Sequence, residues 1–250
     1  MSRQAPLLST VLVTMRPAFL PAICAMLEHQ TYSHRELIVG LHGQRISDLG
    51  DAQRQALAGA RTVLEFPRDW SLGRCLNAGI AESHGIFVAK IDDDDLYGRN
   101  YLEEAVEHLS AGRGDIVGKA ETYIYLEGSG IIVLRRPGAS LKTVNYVSGP
   151  TLVFPRTIAL KHPFRDVTLR EDSYFLEDCR LSGTTVYSTS RRHFLHVRRS
   201  DRNSHTAPYG DAEFIGSGIV LKNLPHAAPD QLFALIDGTA ATDLPCHAPS

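Results

Sequence analysis

Residues 86–97 read IFVAKIDDDDLY: an apolar stretch from Ile86 to Ile91 runs straight into Asp92, Asp93, Asp94 and Asp95. A short apolar run ending in polar residues reads as a buried strand. Four adjacent carboxylates repel one another, and inside a fold that repulsion calls for a cation or a set of hydrogen-bond donors. In extended chain the side chains alternate, which would turn Asp92 and Asp94 to one side and Asp93 and Asp95 to the other. Open α/β sheets bind ligands beyond the carboxyl ends of their strands, and there a D-x-D pair can hold a divalent cation against a ligand's phosphates. An acidic turn in solvent would fit the same four letters.

Outward from this junction, the first half alternates β-rich runs with helical patterns, which predicts βαβ units around a mainly parallel sheet. Strands are expected at Thr10–Thr14, Glu36–Leu41 and Thr62–Phe66. Helices are expected over Phe19–Gln30, where Phe19, Ile23 and Leu27 share a face, and over Ser71–Ser83, capped by Ser71 and stopped by Gly85. Residues 46–59 are helical but weakly patterned. After a helix at Tyr101–Leu109 the pattern shifts to short strands: Ile116–Lys119, Thr122–Leu126, Ile131–Leu134 and Thr151–Phe154. A Thr168-x-x-Glu171 capping box predicts a helix over Arg170–Ser182, followed by strands at Thr185–Ser188 and Phe194–Arg198 and a short helix at Gln231–Ile236. The second half therefore reads as a mixed sheet, and disorder is expected from Thr239 onward.

Composition bounds the possibilities. At 250 residues, 43% hydrophobic and 22% charged, the chain is an ordinary globular protein, which excludes disordered, collagenous and coiled-coil classes. A net charge of −2 supplies no global field for nucleic acid, so an anionic ligand must be held locally. The four cysteines, at 24, 75, 179 and 246, show neither zinc-finger nor disulfide-framework spacing, and a reducing cytoplasm is the expectation. Ala5–Met15 reads as a strand rather than a signal peptide, and no run reaches the ~20 apolar residues that span a bilayer, so a soluble or peripheral protein is expected.

Several residues have types and positions that suit chemistry. Arg74 and Asn77, three apart on one helix, face away from the Leu72, Leu76 and Ile80 stripe. Arg74 is read as a diphosphate or ribose contact, and Asn77 as a hydrogen-bonding group that positions the acidic turn. Glu171 and Asp172 begin a helix; Glu171 is explained as the box partner, which leaves Asp172 as a carboxylate able to accept a proton from a bound hydroxyl. His196 lies in an apolar strand and needs a partner, which a metal held by Asp94 would supply; a hydrogen-bonded core histidine is the plain alternative. Arg191, Arg192, Arg198, Arg199 and Arg202 form a basic stretch without interleaved aromatics, suited to a donor's diphosphate, an anionic acceptor or a solvated edge.

Taken in order, Ser9–Leu20, Glu36–Gly43, Leu72–Gly85, Val88–Tyr97, Gly149–Val153 and Arg170–Ser188 resemble the inverting family 2 glycosyltransferases of the GT-A fold, over about residues 8–206. The resemblance implies an α/β fold with a Rossmann-like, mostly parallel central sheet flanked by helices. It implies one domain over 1–238, with a nucleotide-sugar half at about 8–98, an acceptor half at 99–206 and an extension at 207–238, ahead of a tail at 239–250. Also implied is a nucleotide-sugar donor, usually a uridine diphosphate sugar, with Mn²⁺ or Mg²⁺ on its diphosphate. By position, Asp92 to Asp94 look like the D-x-D motif, with Asp92 toward ribose or sugar, Asp93 between, and Asp94 on the metal together with His196, while Thr14 and Arg16 match the nucleotide pocket. Asp172, with Glu171 beside it, matches the base of the family's E-D motif, and Gly149 the loop nearest the acceptor. One departure stands out: Leu41 and His42 occupy positions where many members carry two acids, leaving His42 to contact the base.

Two other classes compete. A sugar-phosphate nucleotidyltransferase would want a Gly-rich phosphate loop after the first strand, which Thr14-Met15-Arg16-Pro17 is not. A non-catalytic carbohydrate- or nucleotide-binding module would have no need of Asp94 and Asp172. The acceptor, whether carbohydrate, lipid-linked sugar, protein or small molecule, is left open, because its contacts fall to loops such as Tyr123–Pro137. No nucleic-acid partner is expected.

Overall fold

A computed structural model of the chain describes residues 5–200 and 210–238. Strand β1 (Leu8–Thr14) leads through α1 (Leu20–Glu28) to β2 (Arg35–His42), then through α2 (Asp51–Ala56) to β3 (Thr62–Phe66), and through α3 (Leu72–Ala81) to β4 (Phe87–Ile91). β1 pairs in parallel with both β2 and β4, and β2 with β3. The strands are near-continuous apolar runs because both faces are covered. Val11 and Leu12, adjacent on β1, show the alternation: Leu12 packs with Ile23, Leu27 and Leu102, while Val11 packs with Leu76, Ile80 and Leu176.

The remaining elements are β5 (Leu96–Tyr97), α4 (Tyr101–Ser110), β6 (Ile116–Gly118), β7 (Thr122–Leu126), β8 (Ile131–Arg135), β9 (Lys142–Val144), β10 (Val153–Pro155), α5 (Arg156–Lys161), α6 (Glu171–Leu181), β11 (Val186–Ser188), β12 (Phe194–Arg198), α7 (Asp211–Gly216), β13 (Gly218–Asn223) and α8 (Pro229–Ile236). The first sheet continues past β4 in the order β3-β2-β1-β4-β10-β6-β11-β9, with β10 antiparallel between β4 and β6. A second sheet runs β13-β8-β7-β12-β5. The mixed second half thus divides: four of its strands complete the first sheet and the others build a separate one, joined to the acidic turn through β5, which pairs with β12. The α/β expectation holds, with a large, mostly parallel sheet between helices.

Two packing features hold the site. Ser71 caps α3 as expected, its hydroxyl accepting from the Arg74 N–H at 3.1 Å. On α6, Phe175 stacks on Phe164 with centroids 4.4 Å apart and packs against Phe154 at 4.9 Å. A buried phenylalanine contributes about 2 to 3 kcal/mol, so this cluster anchors the helix one turn beyond Asp172.

Three local readings need correction. The Thr168 box does not form: Arg170 stands immediately before the helix in a left-handed conformation at φ 64°, no side chain caps it, and the helix begins at Glu171. Residues 46–59 form only a two-turn α2 between short 3₁₀ turns, as weak patterning allows. Residues 92–95 form a turn rather than extended chain, so strict alternation of the four aspartates fails. Elements β5, β9, α5, α7 and β13 carry too little periodicity to be read in advance. Arg202, the 206/207 boundary and the tail at 239–250 lie outside the described residues. Among the described residues, no helix is long and apolar enough to cross a membrane.

Candidate active site

Parallel pairing of β1 with β4, Leu12 against Ile91, brings the ends of the two strands together. Thr14 and Arg16 leave one strand where Asp92 to Asp95 leave the other. The Thr14 hydroxyl donates to the Asp93 carboxylate, and Arg16 donates to Asp93 and, through Nη1 at 3.0 Å, to Asp94. Asp92 Oδ1 accepts from Lys90 Nζ at 2.6 Å. Asp95 accepts from the Val197 N–H at 3.1 Å and lies 3.3 Å from His196 Nδ1. Burial, reinforced by Asp95 and Asp92 and opposed by Arg16, pushes the Asp94 carboxyl up to about 7.

Beside this turn lies a cavity of about 610 Å³ whose wall includes Asp172, His196, Tyr146, Ser148, Gly149, Arg135 and Arg136. Asp172 Oδ1 accepts from the Ser173 N–H at 2.6 Å, and a side chain at Gly149 would overlap its other oxygen, Oδ2. Glycine is required where another group approaches the backbone this closely. His196 Nε2 meets the Ser148 hydroxyl at 2.6 Å.

Lys90 and Tyr97 tie the two parts together. Lys90, 3% exposed, lies 2.6 Å from Asp92 and 3.7 Å from Glu171. Burial opposes its charge, but Asp92, Glu171 and Asp172 outweigh burial and raise its pKa. The Tyr97 hydroxyl accepts from the Asp92 N–H at 2.9 Å and donates to the Pro150 carbonyl at 3.1 Å.

Residues 13–161 match the family profile described as glycosyl transferase family 2. The chain belongs to this family. Solved structures share its fold. Staphylococcus aureus TarS 1-349 in complex with UDP-GlcNAc superposes with a TM-score of 0.63 at 15% identity, over 83% of this chain and 63% of that one. TarS 1-349 itself gives a TM-score of 0.61 at 14% identity, over 76% and 60%. The mannosyltransferase PcManGT from Pyrobaculum calidifontis, in complex with GDP-Man and Mn²⁺, gives 0.62 at 17% identity, over 78% and 57%. This chain spans about three-fifths of the length of these proteins. No curated protein sequence matches it.

Within this family 2 fold, Thr14, Arg16, Asp92, Asp93 and Asp94 converge at one strand edge, and Gly149, Asp172 and His196 line one cavity. His42, on the neighbouring strand, is buried with its Nε2 lacking a hydrogen-bond partner. The α3 pair has other partners. Arg74 is exposed and stacks over Trp70 at 3.9 Å. Asn77 clasps the Phe164 backbone, donating to its carbonyl at 2.8 Å and accepting from its N–H at 2.9 Å, rather than holding the acidic turn. Among the described residues, no three of His, Cys, Asp or Glu are grouped to hold a metal by themselves. Lys90, Tyr97 and Ser148 are functional candidates missed in the sequence, and Asp95, read there only as the last of the acidic run, gains a partner in His196. Of those missed, only Lys90 carried a signal, as a charge inside an apolar strand.

Two consequences are testable. Burial, with Asp172 and Asp92 adding and Lys90 opposing, raises the Glu171 carboxyl from 4.5 to about 7. A raised folded pKa means the protonated acid favours the fold: that contribution is full below pH 4.5 and lost as pH rises through about 7. Glu171→Gln removes the penalty, so its stability relative to wild type should rise by about 1 to 3 kcal/mol between pH 5 and pH 8. Denaturant titration at both pH values measures this, and a difference that stays flat would refute it. Gly149→Ala should displace the Asp172 carboxylate and lower turnover about a hundredfold, a size typical of small misplacements of a reacting group. Unchanged turnover in this variant would show that the close approach has no catalytic consequence.

Proposed function

We propose that the chain is a metal-dependent inverting glycosyltransferase that moves a sugar from a nucleoside-diphosphate sugar, a UDP-sugar by the family resemblance, to an acceptor hydroxyl. The observation that carries this reading is the position of Asp172, its carboxylate on the wall of a cavity joined to the β4 acidic turn by Lys90 and Tyr97. Asp172 takes the acceptor's hydroxyl proton as the oxygen forms a bond to the anomeric carbon and the bond to the diphosphate breaks. A single displacement inverts that carbon.

The oxygen donors suit a hard divalent cation, four carboxylates crowding one turn, while both His196 nitrogens are engaged, Nδ1 with Asp95 and Nε2 with Ser148. Asp94 would hold Mn²⁺ or Mg²⁺, and His196 would join it by giving up its Ser148 contact. Bound there with the diphosphate, the ion would supply charge neutralisation for the leaving group. Because no three-residue metal group exists among the described residues, such an ion would complete its shell from the diphosphate and water. Thr14, Arg16, Asp92 and Asp93 surround the place assigned to ribose and phosphates, and His42 stands toward the base. Arg74, though exposed, remains a candidate for the outer edge of the nucleotide, and Asn77 a support for its helix. The free, buried Cys24, Cys75 and Cys179 suit a cytoplasmic setting, with peripheral membrane contact available to a lipid-linked acceptor.

A panel of nucleotide sugars with Mn²⁺, assayed for nucleoside diphosphate release, tests the activity and fixes the donor. Calorimetric titration of a nucleoside diphosphate should show binding that requires Mn²⁺ or Mg²⁺ and falls at least about tenfold in Asp94→Ala, since phosphates beside four carboxylates otherwise repel. Equal, metal-independent affinity in wild type and variant would defeat the assignment.

A further inference from the structure

The cavity that holds Asp172 carries a positive wall that sugar transfer by itself does not require. Arg135 ends β8 and Arg136 follows it in a left-handed conformation at φ 47°, a backbone state uncommon outside glycine. Both line the cavity with Asp172. Neither forms a salt bridge among the described residues, and the buried Nε of Arg135 has no hydrogen-bond partner. Their guanidinium groups lie over aromatic rings instead, Arg135 at 5.5 Å from the Phe214 centroid and Arg136 at 4.6 Å from that of Tyr146.

The negative groups on the same wall do not neutralise this pair. Asp172 is engaged with the Ser173 N–H, and Glu213 accepts from the Gly210 N–H at 2.6 Å. Arg198, also on the wall, lies 5.1 Å from the Phe214 centroid and has further partners of its own. A neutral sugar is commonly gripped by open aromatic faces, but here the Tyr146 and Phe214 faces carry guanidinium groups. Arginine presents a planar fork of donors matched to the oxygens of a phosphate or carboxylate. Resting on the glycosyltransferase reading above, we infer that the acceptor is an anion whose phosphate or carboxylate docks on Arg135 and Arg136 while its hydroxyl faces Asp172.

Burial first, and then Asp172, push the Tyr146 phenol up to about 12, which keeps its O–H available as a further donor to that anion. The donor's own diphosphate is a competing anion, and the test must separate the two. With the donor site filled by a nucleoside diphosphate and Mn²⁺, the full chain is titrated with matched probes: sn-glycerol 3-phosphate against glycerol, and glucuronate against glucose. At least one charged probe should bind about tenfold or more tightly than its neutral partner, and the stronger pair tells phosphate from carboxylate. In Arg135→Gln/Arg136→Gln the preference should collapse to parity. Arg136→Gln alone, at an exposed position, should lose most of it and Arg136→Lys should keep part. Melting temperature checks each variant's fold.

Equal affinities within both pairs, or binding by neither charged probe, overturns the inference. So does a preference that survives the arginine substitutions, or a loss confined to nucleoside diphosphate affinity, which would assign the pair to the donor. Should the chain bind no nucleotide at all, the glycosyltransferase reading fails. The charged-against-neutral comparison without nucleotide then still decides the arginine site.

Discussion

Replacing Asp172 with asparagine is expected to lower sugar transfer by about 10³-fold or more while leaving nucleoside diphosphate affinity within about twofold of wild type, general-base removal being worth ~10² to 10⁴. The amide keeps the volume of the carboxylate and can still accept from the Ser173 N–H, so α6 and the Gly149 approach survive. What it loses is the capacity to take a proton. Paired measurements of turnover and nucleotide binding separate this from a helix-capping role, in which asparagine would serve nearly as well. Near-wild-type turnover would remove Asp172 as base and turn attention to Glu171. Product stereochemistry is independent of the mutant: a retained anomeric configuration would contradict a single displacement even if the variant were dead.

Lys90→Met carries the largest expected cost in stability. The methionine fills similar volume, but Asp92 and Glu171 lose the cation between them, and Glu171 is itself buried. Stranding one side of a buried ion pair costs about 3 to 5 kcal/mol, which for a chain of this size is roughly a 10 °C fall in melting temperature. Adding Glu171→Gln should recover part of that fall at alkaline pH, where the Glu171 carboxyl, raised further by loss of the lysine, would otherwise be a buried unpaired charge. A melting temperature unchanged in Lys90→Met would show that the lysine is not the counter-charge of this network.

The fold was legible wherever both faces of a strand are covered. TVLVT, ELIVGL and IFVAKI announce themselves because parallel strands between helices have almost no polar positions, and the acidic run marks where the last of them ends. Short second-half elements were not. Lys142–Val144 has two exposed residues in three, and Gly218–Asn223 exposes Ile219 and Val220, so neither shows the alternation that identifies a half-buried strand. For the candidate site, residue type and order picked out Asp172, Gly149 and His196, which share one cavity. Partners were less readable: Asn77 binds Phe164, 87 positions away, and nothing local in the sequence encodes so distant an acceptor. His196 turns Nδ1 to Asp95 and Nε2 to Ser148; the acidic run marked the first, but nothing in the sequence marked the second.

The Tyr97 hydroxyl, donating to Pro150 and accepting from Asp92, amounts to a length standard. A phenol ring neither stretches nor folds, and this one is buried, so the oxygen shared by the two hydrogen bonds that join the aspartate turn to the Gly149-Pro150 segment is held at a fixed place. In-line displacement tolerates little slack, since reacting atoms must stand about 3 to 3.5 Å apart. Tyr97 itself stands on β5 of the second sheet, whereas the aspartate turn follows β4 and Gly149-Pro150 precedes β10, two neighbours in the first. One ring thus ties the second sheet to both segments at once, and thermal play between the sheets moves the turn and the cavity wall together.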